Sequence, residues 1–103
     1  MPLPFKVGVH ADIMQSGIYI GYAAAILTTA SFVPQAIKTI RSRDTEGLSV
    51  LMYLGFAIGV FLWMVYGFVR DDLVIIVANA VTFLLALPIL IIALRNEWRA
   101  RKA

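Results

Sequence analysis

Cysteine is absent from the 103 residues, which excludes disulfides and thiolate chemistry. Histidine occurs once, as His10, ahead of the first apolar run, so a histidine-based metal cluster is excluded as well. A lone histidine there reads as a solvated side chain of a polar tail. Acidic residues number six, and none falls inside the three long apolar runs. With no nucleophile–base pair and no metal set, the chain is not expected to be an enzyme, and it calls for no cofactor. The net charge of +3 comes from residues flanking the apolar runs. That placement suits anionic lipid headgroups and argues against nucleic acid as a partner. Internal repeats and low-complexity segments are also missing, so the chain reads as one repeat unit.

What is present is apolar. Hydrophobic residues make up 61% of the chain, above the share in ordinary soluble domains. They fall into runs at about 18–40, 48–69 and 73–94. Each holds roughly 20 residues, enough at about 1.5 Å per residue to cross a hydrocarbon core of about 30 Å. The expected fold is therefore an all-α membrane protein, a three-helix transmembrane bundle over residues 18–94. An N-terminal tail (1–17) precedes it and a basic tail (95–103) follows. The first run is longer than a secretory apolar region and has only Lys6 as a positive flank, so it does not read as a signal peptide. No room remains for a soluble catalytic domain.

The nine Lys and Arg set the expected orientation. Lys38, Arg41, Arg43, Arg95, Arg99, Arg101 and Lys102 share one side; Lys6 and Arg70 share the other. Seven against two puts the first connection and the C terminus in the cytoplasm and the N terminus outside. Lys38 can snorkel from its run end, and Trp98 suits an interfacial anchor. The connection Arg70-Asp71-Asp72 is so short that the second and third helices must be antiparallel neighbours. Asp72 or Asp71 can cap the third helix, and Ser16 and Ser49 the other two.

Polar and helix-breaking residues inside the runs carry the functional reading. Pro34 removes a backbone donor and clashes with the carbonyl of Ala30, and Gln35 beside it is an amide that hydrocarbon penalises. Pro88 interrupts the third run, and both breaks are expected about 23 Å from the outer face. Two breaks at one depth suggest a hinged inner gate, as at the discontinuous helices of transporters. Gly55, Gly59, Trp63 and Gly67 recur at steps of four, as on one helix face, and the glycines suit close helix packing. Trp63 lies about 9 Å below the outer boundary by helical rise, too deep for a lipid anchor. Asn79 is expected at nearly the same depth. An indole and an amide at one level offer a stacking face with hydrogen-bonding groups for a polar ligand. An interhelical hydrogen bond accounts for Asn79 just as simply. Thr28, Thr29 and Ser31 can line the same space or bond back to their own helix.

The segments G-Y-A-A-A-I-L-T-T-A-S-F-V-P-Q (Gly21–Gln35), L-W-M-V-Y-G (Leu62–Gly67) and A-N-A-V-T (Ala78–Thr82) together resemble the bacterial SemiSWEET sugar transporters, relatives of the SWEET and PQ-loop families. The likeness runs from about Ile18 to Leu94. It implies a bacterial inner-membrane protomer that pairs in parallel as a homodimer around one sugar path. Trp63 and Asn79 would bind the sugar substrate. Pro34 and Gln35 would form the hinge of the inner gate, and Tyr66, Arg70 and Asp72 the outer gate. Arg70 and Asp72 could equally be an exposed ion pair of little consequence. Dimerisation also has an argument free of family: three helices fill their own centre, whereas two copies about a twofold axis can enclose a cavity. No carboxylate or histidine lies in a membrane run, so a proton relay is not expected and transport should be passive uniport by alternating access. Other readings are a PQ-loop carrier for another small solute, such as an amino acid, and a non-transporting assembly or accessory subunit.

Overall fold

The computed structural model describes the backbone of residues 7–102 and the side chains from Ser16 to Lys102. Lys6, and with it the outermost part of the expected N-terminal tail, lies outside the described residues, as does the side chain of His10. Three helices make up the fold: α1 (Val7–Ser42), α2 (Val50–Arg70) and α3 (Leu73–Lys102). Each contains a stretch long and apolar enough to cross a membrane. The protein is an all-α, multi-pass membrane protein.

Two helices are longer than their apolar runs. α1 begins at Val7 and passes through Ser16, which is therefore an interior residue and no cap. α3 continues to Lys102, so the basic segment after Leu94 is helical. Its last turns hold together locally: Arg101 pairs with Glu97 one turn earlier at 3.0 Å, and the Lys102 ammonium sits 4.4 Å from the centre of the Trp98 ring. At about 1.5 Å per residue, α2 just matches a bilayer core, while α1 and α3 exceed it. Pro34 and Pro88 both lie inside uninterrupted helices.

The connections are built as the local chemistry requires. Ser49 caps α2, its hydroxyl accepting from the Met52 amide at 3.1 Å. Asp72 caps α3, its Oδ1 accepting from the Ile75 amide at 3.3 Å. Asp71 instead ends α2 in the left-handed conformation (φ 54°), and the amides of Asp71 and Asp72 bond back to Phe68 and Gly67. Gly67 sits under this turn: a Cβ there would lie 2.9 Å from Ile75 Cγ2 and 3.0 Å from the Ile76 amide nitrogen. Only glycine lets the two helices approach so closely.

α3 lies between α1 and α2, packing on both, and α1 reaches α2 only through side chains such as Phe32 on Phe56 (ring centres 6.4 Å apart). The core occupies the half of the bundle on the side of the α1–α2 connection, the inner half, with the α2–α3 turn at the outer end; there Ala36, Ala57, Val60, Ala86, Ile89, Leu90, Ile92 and Ala93 are buried. Small residues there let the helices meet, as close packing in membranes demands.

Candidate site on the outer half of the bundle

Helix register fixes which residues share a level. Gly67 of α2 meets Ile75 and Ile76 of α3, and Phe61 meets Phe83 with ring centres 5.6 Å apart. In an antiparallel pair, four residues back from Gly67 and four on from Ile75 bring Trp63 level with Asn79. α1 and α3 run parallel with a constant offset. Gly21 faces Val74 near the outer end, and Arg43 meets Asn96 near the inner end. That offset puts Pro34 level with Leu87 and Pro88.

Trp63 stays open on the protomer surface, 56% exposed although it lies at membrane depth. Its ring meets Tyr66 edge to face, with centres 5.6 Å apart and planes at 87°. Gly59, Leu62, Trp63 and Tyr66 line a shallow groove of about 380 Å³. Gly55 and Gly59 have nothing within 4 Å of where a Cβ would be, so they are not packed within the protomer. The stripe from Gly55 to Gly67 is not one face. A step of four residues overshoots a full turn by about 40°, so over three steps Gly67 swings round toward α3.

Asn79 is half-buried, and its Nδ2 donates to the carbonyl of Ile75 at 2.8 Å, one turn back on its own helix. Its Oδ1 accepts no hydrogen bond among the described residues and is not sealed from open space. Asn79 does not line the groove beside Trp63, so one protomer puts the two side chains at one level but not in one cavity. Thr28 and Ser31 bond back to Ala25 and Leu27, at 3.3 and 2.7 Å. Thr29 lines a separate, almost wholly apolar groove of about 360 Å³ where the outer part of α1 stands off from α3.

The expected outer-gate pair does not form within the protomer. Among the described residues the only ion pair is Arg101–Glu97, and Asp72 spends a carboxylate oxygen on its helix cap. Pro34 and Gln35 are exposed on α1. Sequence reasoning missed Asn96. Its Nδ2 donates at 2.9 Å both to the carbonyl of Arg43 and to Thr45 Oγ1, tying α3 to the α1–α2 connection. The one signal in the sequence was an amide just past the inner end of an apolar run.

Comparison with known proteins agrees with this architecture. The PQ loop repeat family matches residues 17–76. The chain is 49% identical over 84 residues to the sugar transporter SemiSWEET of Escherichia coli, covering 82% of this chain and 94% of that protein. It is 52% identical over 63 residues to the SemiSWEET of Leptospira biflexa, covering 61% and 74%. A crystal structure of a SemiSWEET in the inward-open conformation superposes with a TM-score of 0.80 at 46% identity, over 84% of this chain and 94% of the other. A bacterial homologue of SWEET transporters superposes at 0.66 with 30% identity, over 77% and 95%. With three spanning helices, the in-register prolines and matches of this extent, the chain belongs to the SemiSWEET group of the PQ-loop family.

Proposed function

We propose that the protein is a facilitative sugar transporter, a parallel homodimer of the bacterial inner membrane with its C terminus in the cytoplasm. The observation that carries the reading is Trp63: a large indole left open at membrane depth, beside unpacked Gly55 and Gly59 and level with Asn79. A second copy laid on this face about a twofold axis would give a closed space holding two indoles and two carboxamides. Sugar faces stack on indoles, and hydroxyls can donate to the free Oδ1 of Asn79. The SemiSWEET relatives are named sugar transporters, which supports that substrate class.

Pro34 and Pro88, level on parallel helices, would serve as hinges for alternating access, with Gln35 in the inner gate. Tyr66, one turn outward from Trp63, would close the outer side. Arg70 and Asp72 do not pair within one protomer, so a gate made from them closes between protomers. The runs 18–40, 48–69 and 73–94 hold no Asp, Glu or His, which favours uniport without proton coupling. The competing reading, a subunit in which Asn79 only packs, draws on the bond of Asn79 to Ile75.

Tryptophan fluorescence tests the binding step. The chain has two tryptophans, so Trp98→Phe leaves Trp63 as sole reporter. Saturable quenching or enhancement by a mono- or disaccharide supports the proposal; no response to any sugar in the dimer removes it.

A further inference from the structure

Asn96 makes the only side-chain hydrogen bonds between parts of the chain more than four residues apart, among the described residues. One Nδ2 serves two acceptors at 2.9 Å, the carbonyl of Arg43 and the Thr45 hydroxyl. Arg43 is the left-handed residue (φ 57°) that ends α1, its amide bonded back to Thr39 at 2.9 Å. The bonds therefore pin the last turn of α1 and the turn after it to α3. The pin lies eight residues beyond Pro88, and its α1 partner Arg43 nine beyond Pro34, at the same parallel offset that aligns the prolines.

The contrast along α1 gives the pin its meaning. Above Pro34, α1 faces α3 across the apolar groove lined by Tyr22, Ala25, Ile26, Thr29 and Ala30, with no side-chain hydrogen bond between the two helices among the described residues. Below Pro34, Ala36 is fully buried, Ala93 of α3 is buried, and Asn96 closes the end. If Pro34 and Pro88 hinge α1 and α3 as proposed, two helices hinged at one level and tied at their far ends cannot splay below the hinge; the lower arms swing together.

We propose that Asn96 is a positioning residue for gating: it couples the inner arms of α1 and α3 so that the cytoplasmic mouth opens by joint movement of both. The proposal rests on the transport reading for its consequence, though not for the pin itself. Thr45 contributes one of the two bonds, so its loss should weaken the coupling without abolishing it.

The test uses the full-length chain in lipid nanodiscs. Because the chain has no native cysteine, a nitroxide pair can be placed with Arg41→Cys and Arg99→Cys to report the inner ends. A second pair, Tyr19→Cys and Leu73→Cys, reports the outer ends, and dilution with unlabelled chain isolates one protomer's distance. Adding Asn96→Ala is expected to broaden the inner distribution markedly, Thr45→Val to broaden it less, and neither to change the outer one. In liposomes, Asn96→Ala should shift saturating sugar flux by at least about threefold while KM stays within about twofold. An unchanged inner distribution, or equal broadening of both pairs, overturns the pin, since general loosening would move both. A broadened inner pair with unchanged saturating flux overturns the gating role. If the parent chain carries no sugar at all, the transport reading falls while the distances still decide the pin.

Discussion

Asp72 holds the start of α3 by accepting the Ile75 amide at 3.3 Å, and this single bond claims a carboxylate that the sequence offered to Arg70. Cap and gate can be separated by substitution. Asn is as good an N-cap as Asp but carries no charge. Asp72→Ala should lower thermal stability by about 0.5–2 kcal/mol, whereas Asp72→Asn should leave it nearly unchanged. If Asp72 also closes the outer side against an Arg70 from the second protomer, Asp72→Asn will still alter sugar flux. Melting temperature in detergent and flux in liposomes read the two roles independently.

Gly67 marks a close approach of α2 and α3 at their hairpin. Its missing Cβ would meet the Ile76 backbone, which cannot rotate away as a side chain can. Gly67→Ala should destabilise by about 1–3 kcal/mol, as overpacking does. Gly59→Ala should not destabilise the isolated protomer and should stabilise it by about 0.5–1 kcal/mol, because it removes a helix-interior glycine and nothing lies within 4 Å of that position. Should Gly59→Ala weaken self-association in cross-linking assays, that would place the dimer contact on the Trp63 face.

Asp71 adopts φ 54°, a conformation that costs L-residues roughly 1–2 kcal/mol and glycine almost nothing. The added freedom of glycine in the unfolded chain offsets about 0.4–1 kcal/mol of that relief, so Asp71→Gly should raise stability only modestly, by about 1 kcal/mol at most. Thermal unfolding checks it, and a loss of stability would mean the Asp71 carboxylate has a partner outside the protomer.

Flux should be insensitive to a proton gradient. No ionisable acid or histidine lies in the three apolar runs, so sugar movement should follow the sugar gradient alone. Uphill accumulation driven by a pH step across liposomes would contradict uniport.

The three spans were legible because run length and composition alone decide whether a helix crosses a bilayer. The ends were not. Val7 to Gln15 and Arg95 to Lys102 are polar enough to read as tails, yet nothing in either stretch breaks a helix, and α1 and α3 run on through them. The common level of Trp63 and Asn79 followed from counting residues back from a tight turn, and the close fit at Gly67 sets that register. Their separation into different surroundings did not follow, because counting gives depth and not rotation about the helix axis. Asn96 stayed hidden for a different reason. Its partners lie 51 and 53 residues away, and one of them is a backbone carbonyl, which any residue could have supplied.

Radiolabelled sugar uptake by the purified chain in liposomes tests the central claim most directly, comparing it with Trp63→Ala and Asn79→Ala. Trp63 is largely exposed and Asn79 bonds within its own helix, so both variants should fold and insert. Saturable uptake by the parent chain, cut at least about tenfold in each variant, is the predicted result, equivalent to about 1.4 kcal/mol of lost interaction. Equal uptake in all three, or none in the parent chain, would contradict the account.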